Sequence, residues 1–376
     1  MIKYGMIGGD IHAFIGEVHR KALSLDTRAE IVCGCFSRNE DRNIETAKAY
    51  KIDMDRVYES YEEMAVEEGK RGEVDFVSIC TPNFSHYEIA KAFLENGINV
   101  VCEKPLCFEV EEALELEELA AKKNLIFAVT YTYSGYTMVK VARDIVRSGE
   151  IGNIINVNAE YPQEWLIDEV NAEEGQTAKL SIWRKDPKYS GISNCVGDIG
   201  THIENTVSFV TGLEIKRLRA NLNNYGQPLD LNANILVEYD NGIYGNYWTS
   251  QVAISHMNGL KFRIYGDKGS IIWSQECPDQ LQFTRKGEAP QVLSRGCGYL
   301  TQKSSAYSRI PSGHPEGYHI AFANLYKDII DTLISKKENR DYTIEFPTVH
   351  AGVNGVKFIH AVVESSKNDG DWVNLK

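Results

Sequence analysis

The stretch "GMIGGDIHAFIGEVH" at residues 5–19 decides how the rest of the chain is read. An apolar strand, "KYGMIGG", runs into a glycine turn and then into an amphipathic helix through "GEVHRKALSL". That order lets a parallel α/β sheet offer free helix N–H groups to the phosphates of a dinucleotide. The spacing departs from the G-x-G-x-x-G pattern: Gly8 and Gly16 lie too far apart, and Ala13 stands where the middle glycine belongs. The mechanics survive the change. Gly8 can make the tight turn out of the strand, and Gly16 can let the helix lie against the sheet. Ala13 adds one methyl where a pyrophosphate would approach, and a loop three residues longer ("GDIHAF") can hold its N–H groups further out.

Downstream, strands and helices alternate. "AEIVCGCF", "VDFVSICTP", "INVVCEKP" and "LIFAVTYTY" read as strands, with helices at "NEDRNIETAKAYK", "SHYEIAKAFLENG" and "EVEEALELEELAAKKN". Continuous apolar runs bounded by turn residues are the mark of strands buried on both faces, so a Rossmann-like, doubly wound parallel sheet is expected. From about residue 150 the pattern changes to closely spaced strands, "NIINVNAEY", "LEIKRLRANLN", "LNANILVEY", "GIYGNYWTSQ", "GLKFRIYG" and "GSIIWS". Hairpin signals at "DNG" (240–242) and "GDKG" (266–269) point to antiparallel pairing. Two helical stretches, "GYHIAFANLYKDIIDTLIS" and "AGVNGVKFIHAVVESS", close the chain. The expectation is a nucleotide-binding domain over 1–132 and an α+β domain over 133–376 with a large, mainly antiparallel sheet. A few helices leave one face of such a sheet open, and that face suits a homo-oligomer contact.

The 376 residues carry a net charge of −13 with no basic block, which speaks against nucleic acid or an anionic membrane as a partner. No apolar run approaches the ~20 residues of a membrane span. Eight cysteines are scattered without a C-x-x-C pair, and the N-terminus enters a strand directly. Both read as a cytoplasmic protein with reduced thiols and no metal cluster. Two histidines in "SGHPEGYH" (312–319) have no metal-ligand spacing, and no metal is expected.

Three residues carry possible chemistry. Lys104 follows a buried strand at the carboxyl edge, where ligands bind in this architecture. It is either a snorkelling lysine or a donor to a reacting oxygen. Asp198 and His202 stand four apart in "GDIGTHIENTVSFV". If helical, they share one face, with Ile199, Ile203, Val207 and Val210 turned to the core. Asp198 reads as an N-cap or as the carboxylate that orients an imidazole. His202 reads as a packed histidine or as a general base.

Taken in order, several stretches resemble the Gfo/Idh/MocA family of pyridine-nucleotide sugar oxidoreductases over essentially the whole chain. They are "IGEVHRKAL" (15–23), "DFVSICTPNFSHYEIA" (75–90), "VVCEKPL" (100–106), "SGEIGNI" (148–154), "WR" (183–184), "GDIGTH" (197–202) and the tail at 346–366. The Ala13 loop resembles a subgroup that carries "AFIG" there. The resemblance implies cofactor contacts at Gly8, Ala13, Phe14, Ile15, Ser37, Arg38, Thr81, Pro82, Asn83, His86, Glu103 and Lys104. It implies His202 as base, Asp198 as its partner and Lys104 as alkoxide stabiliser. Substrate contacts would come from these three with Tyr133, Gln163, Trp165 and Arg184, aromatics and hydrogen-bonding forks that suit a pyranose.

Strand "EIVCGCF" ends in Ser37-Arg38, with no carboxylate to repel a 2′-phosphate. NADP is therefore open on the residues, whereas the resembling subgroup points to NAD. The expected activity is oxidation of a secondary hydroxyl, at C3, of a sugar or glycoside. A ketone at C3 acidifies the neighbouring C–H, so a separate glycoside-cleaving enzyme can follow. Two alternatives stand beside it: an NAD-recycling glycosidase, and a nucleotide-binding sensor without catalysis.

Overall fold

The computed structural model describes residues 1–170 and 186–375, and these form two compact units. The first comprises Met1–Gly135 and Tyr318–Val353. Its strands β1 (Ile2–Gly8), β2 (Ala29–Cys35), β3 (Phe76–Cys80), β4 (Asn99–Cys102) and β5 (Phe127–Val129) make one parallel sheet in the order β2-β1-β3-β4-β5. Every residue of β3 is buried, as its unbroken apolar run requires. Crossover helices α1 (Phe14–Leu25), α2 (Glu40–Tyr50), α3 (Tyr61–Arg71), α4 (His86–Glu95) and α5 (Val110–Lys122) join the strands. Helix α3 has a sequence signal that went unused: Ser60 accepts the Glu63 N–H at 3.2 Å, and Gly72 ends the helix at φ +65°.

The helix Tyr318–Lys337 belongs to this first unit, whereas a division after residue 132 assigns it to the second. Its Phe322, Tyr326, Ile329, Ile330 and Leu333 lie in one core with Tyr4, Met6, Val18 and Phe76. Burial of these five side chains, at roughly 1.5–3 kcal/mol each, anchors the returning segment to this sheet. Its apolar spacing declares a helix but not the sheet it covers.

The second unit comprises Tyr136–Gly317 and Asn354–Lys376. Strands β6 (Ile154–Pro162), β7 (Ile215–Asn223), β8 (Asn232–Tyr239), β9 (Tyr244–Ser250), β10 (Lys261–Gly266), β11 (Gly269–Ser274), β12 (Gln280–Arg285), β13 (Gln291–Ser294) and β14 (Val373–Asn374) form a nine-stranded sheet, ordered β13-β12-β11-β10-β6-β9-β8-β7-β14. All neighbours are antiparallel except the central pair β6–β9. The long connection after β6 supplies the crossover that parallel pairing needs, so local spacing alone could not signal it.

Alternation sets the two faces. On β8, Ala233, Ile235 and Val237 are buried while Asn234 is exposed. Helix α6 (Thr137–Arg147), the helix Thr201–Thr211 and the C-terminal helix (Val349–Lys367, from Asn354 on) belong with this sheet. Phe358 meets Tyr247 edge-on at 6.2 Å, and the hydroxyls of Ser365 and Ser366 accept the N–H groups of Ala220 and Leu222. The opposite face holds a shallow depression of about 400 Å³ bordered by Asn158, Asn234, Asn246, Trp248 and Arg263.

Candidate active site

The glycine turn is built by three glycines, one more than the sequence reading named. Gly8 and Gly9 take φ of +72° and +70°, where a Cβ is strained. A Cβ on Gly16 would lie 2.2 Å from the Gly9 Cα, so the strand exit and helix entry touch backbone to backbone. The inserted residues fold back on themselves: the Asp10 carboxylate accepts the His12 N–H at 2.9 Å, and the Asp10 carbonyl accepts the Ala13 N–H at 2.8 Å. Ala13 is the N-cap of α1 and brings no side-chain cap. The first N–H groups of α1, at Phe14 and Ile15, thus begin a 12-residue helix whose N-terminus has no side-chain cap. Ser37 and Arg38 follow β2, and Asn39 caps α2 by accepting the Arg42 N–H at 3.0 Å.

Thr81, Pro82 and Asn83 lie just past the carboxyl end of β3, where an open α/β sheet receives ligands. His86 opens helix α4 immediately after them. It is fully buried, with Nε2 2.9 Å from the Thr81 carbonyl oxygen and Nδ1 2.9 Å from the Pro105 carbonyl oxygen. Burial pushes its imidazole below the usual value. It braces the turns after β3 and β4 against each other.

After β4 come Glu103, Lys104 and the Lys104–Pro105 peptide, which is cis. Glu103 is buried and sits 2.7 Å from His19 Nε2, and it also accepts the Thr130 hydroxyl. The Nδ1 of His19 meets the hydroxyls of Tyr326 at 2.6 Å and Ser78 at 2.9 Å. Burial opposes charge on both groups. Even so, the His19 hydrogen bond and charge hold the Glu103 carboxyl below its usual range, while Cys80, Tyr326 and Glu103 hold the His19 imidazole well above its own. Sequence reasoning missed His19, Ser78, Thr130 and Tyr326. All four stood in quoted stretches, but the partner of His19 is 84 residues away.

In the second unit the expected helix begins as a π turn, Val196–Gly200, and continues as the α-helix Thr201–Thr211. Single π turns are frequent at functional sites. Ile199, Ile203, Val207 and Val210 are buried as the periodicity requires. Asp198 is inside the turn and is not its cap. Capping falls to Asp230, whose carboxylate accepts the N–H groups of Asn194 and Val196, each at 2.9 Å. Asp198 Oδ2 accepts from Gln251 Nε2 at 3.0 Å.

Tyr161 joins His202 to a polar and aromatic group. The Tyr161 ring is 6.1 Å from the His202 ring. The Tyr161 hydroxyl and the Gln163 amide both donate to Asn258 Oδ1, at 2.5 and 2.8 Å. The Trp165 indole N–H donates to Gln163 Oε1 at 2.9 Å and its ring is 42% exposed. Gln163 and Trp165 therefore stand with Tyr161 and Asn258, which sequence reasoning did not single out. Tyr133 is buried in a short 3₁₀ turn, Thr132–Gly135, of the first unit. Tyr136 packs on Trp273 with ring centroids 5.4 Å apart and is core. Arg184 lies outside the described residues. Among the described residues no cluster of three metal-ligating side chains occurs, and no helix is long and apolar enough to cross a membrane.

A glycine turn closed by a helix without a side-chain cap, at the carboxyl edge of a five-stranded parallel sheet, is the arrangement of a Rossmann-like nucleotide-binding domain, and comparison with known proteins agrees. Residues 2–131 match the model of the oxidoreductase family with an NAD-binding Rossmann fold, and residues 139–272 match the GFO/IDH/MocA C-terminal domain. The chain belongs to the Gfo/Idh/MocA oxidoreductase family.

An uncharacterized oxidoreductase of Bacillus subtilis, YfiI, is 34% identical across 100% of this chain and 97% of its own. The NAD⁺ complex of an inositol dehydrogenase homolog from Azotobacter vinelandii is 36% identical, with a TM-score of 0.92 over 99% of this chain and 97% of that one. A second structure of that description holds NADH and myo-inositol, at 34% identity and a TM-score of 0.89 over 99% and 97% of the two chains. A levoglucosan dehydrogenase of Pseudarthrobacter phenanthrenivorans is 28% identical over 56% of this chain and 58% of its own.

Proposed function

We propose that this oxidoreductase removes hydride from a secondary hydroxyl of a six-membered polyhydroxylated ring, a sugar or glycoside oxidised at C3. The observation that carries the reading is the group around His202. Trp165 offers an exposed apolar face, while Gln163 and Asn258, the latter held by the buried Tyr161, present amides of the kind that satisfy ring hydroxyls. The co-crystallised myo-inositol of the Azotobacter relative supports a ring polyol. The name of the levoglucosan dehydrogenase supports a sugar.

The glycine turn fits the cofactor: Gly8 and Gly9 hold positive φ and pack tightly against the end of β3 and the start of α1, and α1 starts with no side-chain cap. The N–H groups of Phe14 and Ile15 would hold the pyrophosphate, Glu103 a ribose hydroxyl, and Ser37 and Arg38 the adenosine end, with Thr81, Pro82 and Asn83 lining the adjoining edge. When bound, NAD supplies the hydride acceptor. His202 takes the hydroxyl proton, Asp198 orients the imidazole and stabilises its charged form, and the Lys104 ammonium stabilises the developing alkoxide. Arg184 and Tyr133 remain substrate contacts in this reading. NAD is the cofactor we favour over NADP. The open face of the nine-stranded sheet, with its asparagines and Trp248, is the surface we assign to a second copy of the chain, to be checked by light scattering of wild type against Trp248→Glu.

A screen at 340 nm tests the activity, with NAD and NADP against myo-inositol, glucose, glucose 6-phosphate and O-glucosides. Reduction with one ring class, lost in His202→Ala, is expected, with a 3-keto product identified by NMR. Aglycone release without net NADH would favour an internally recycled cofactor. No product from any ring would overturn the reading.

A further inference from the structure

The carboxylate proposed to orient the base is itself held by a chain of buried amides. Gln251 and Asn194 are 0% and 2% exposed, and Asp230 is 4% exposed. Asn194 Nδ2 donates to the Asp230 backbone carbonyl at 3.3 Å and to Gln251 Oε1 at 2.8 Å, and Gln251 Nε2 donates to Asp198 Oδ2 at 3.0 Å. The direction of this chain is fixed at its far end. A backbone carbonyl only accepts, so Asn194 must turn its NH₂ toward it, and the same NH₂ faces Gln251. Gln251 must then answer with its oxygen, which leaves its NH₂ for Asp198. Flipping either amide would set oxygen against oxygen.

The backbone pins the same groups. The Gln251 N–H donates to the Leu231 carbonyl at 2.9 Å, and its carbonyl accepts the Leu166 N–H at 3.0 Å. Asn194 is tied by its own N–H to the Asp230 carboxylate at 2.9 Å. Gln251 can therefore act on Asp198 only as a donor, which favours the ionised carboxylate in one orientation.

We infer that Gln251, oriented by Asn194 and Asp230, is a positioning residue that keeps Asp198 anionic and aimed, and so sets the basicity of the proton-transfer pair. This rests on the reading of Asp198 and His202 as that pair. The three relay residues come from three segments of the second unit and share no sequence motif. A fully buried glutamine whose amide direction is dictated by a fixed carbonyl is a device for charge control, because a buried donor left without its acceptor is destabilising.

The test follows the Asp198 carboxyl by NMR in full-length protein labelled with ¹³C at the aspartate side-chain carboxyl carbons, its resonance assigned by its loss in Asp198→Asn. In Gln251→Met, of similar volume and without the donor, the Asp198 titration midpoint is expected to rise by about one pH unit. With the substrate selected at 340 nm, the acid limb of the kcat–pH profile should move up by about the same one unit, while the NADH Kd measured by fluorescence stays unchanged. If Gln251→Met does not fold, Gln251→Glu keeps the bond to Asn194 and sets a second carboxyl against Asp198, so its midpoint should rise further. An unchanged midpoint in the folded variant overturns the inference. The activity reading fails separately: full activity in Asp198→Asn would refute the assignment of the pair, whatever the titration shows.

Discussion

Replacing His19 by leucine removes one half of a buried pair whose other half, Glu103, immediately precedes Lys104 in the turn after β4. His19 is 0% exposed and its Nε2 is 2.7 Å from Glu103, which keeps the Thr130 hydroxyl and the Lys104 charge when the imidazole is gone. Breaking a buried pair from one side typically costs about 3–5 kcal/mol, because the remaining charge is left uncompensated. Removing both sides in His19→Leu/Glu103→Met relieves that charge. What stays lost is the pair of hydroxyl contacts from Tyr326 and Ser78, about 1 kcal/mol each. The double variant should thus be more stable than His19→Leu alone, with a coupling energy above about 2 kcal/mol.

The pH at which to measure it follows from the two shifts. Glu103 is lowered, so its contribution is complete above the ordinary carboxylate value and is lost as pH falls through the lowered one. His19 is raised, so its contribution is complete below the ordinary imidazole value and is lost as pH rises through the raised one. Between the ordinary values of 4.5 and 6.5 both are present, so urea unfolding of the four proteins at pH 6 reads the full coupling. Additivity within about 0.5 kcal/mol would refute the argument that the two side chains act as one buried pair.

Gly16→Ala puts a methyl 2.2 Å from the Gly9 Cα, against backbone that cannot rotate away. NADH binding by fluorescence should be lost, with a stability decrease above about 2 kcal/mol, and near-wild-type binding would show that the helix can retreat. Ser37→Asp adds the carboxylate that the second strand lacks. The ratio of NAD to NADP kcat/KM should rise at least about tenfold, since like charge now faces a 2′-phosphate. Burial, with Glu214 nearby, pushes the Glu204 carboxyl up to about 8. Its ionisation in the unfolded chain therefore drains stability progressively from about pH 4.5 to 8. Glu204→Gln should raise the melting temperature relative to wild type at pH 8 but not at pH 4, and equal differences at both would refute the assignment.

Local signals determined much of this protein. Buried apolar runs such as "FVSIC" fix a parallel sheet, because only strands covered on both faces can be apolar throughout. The spacing of Ile199, Ile203, Val207 and Val210 fixes which side of the helix faces the core, and so where Asp198 and His202 can point. The Ser60–Glu63 cap was legible as well, though unused. What the sequence withheld is whatever depends on distance along the chain. The pairing of His19 with Glu103 and Tyr326 spans 84 and 307 positions, and the relay from Asp230 to Asp198 crosses three segments. Neither leaves a periodic trace, because side chains that meet across a fold are unconstrained in spacing. The helix Tyr318–Lys337 shows the same division: its periodicity announces that it buries one face, and only the tertiary structure decides which sheet buries it.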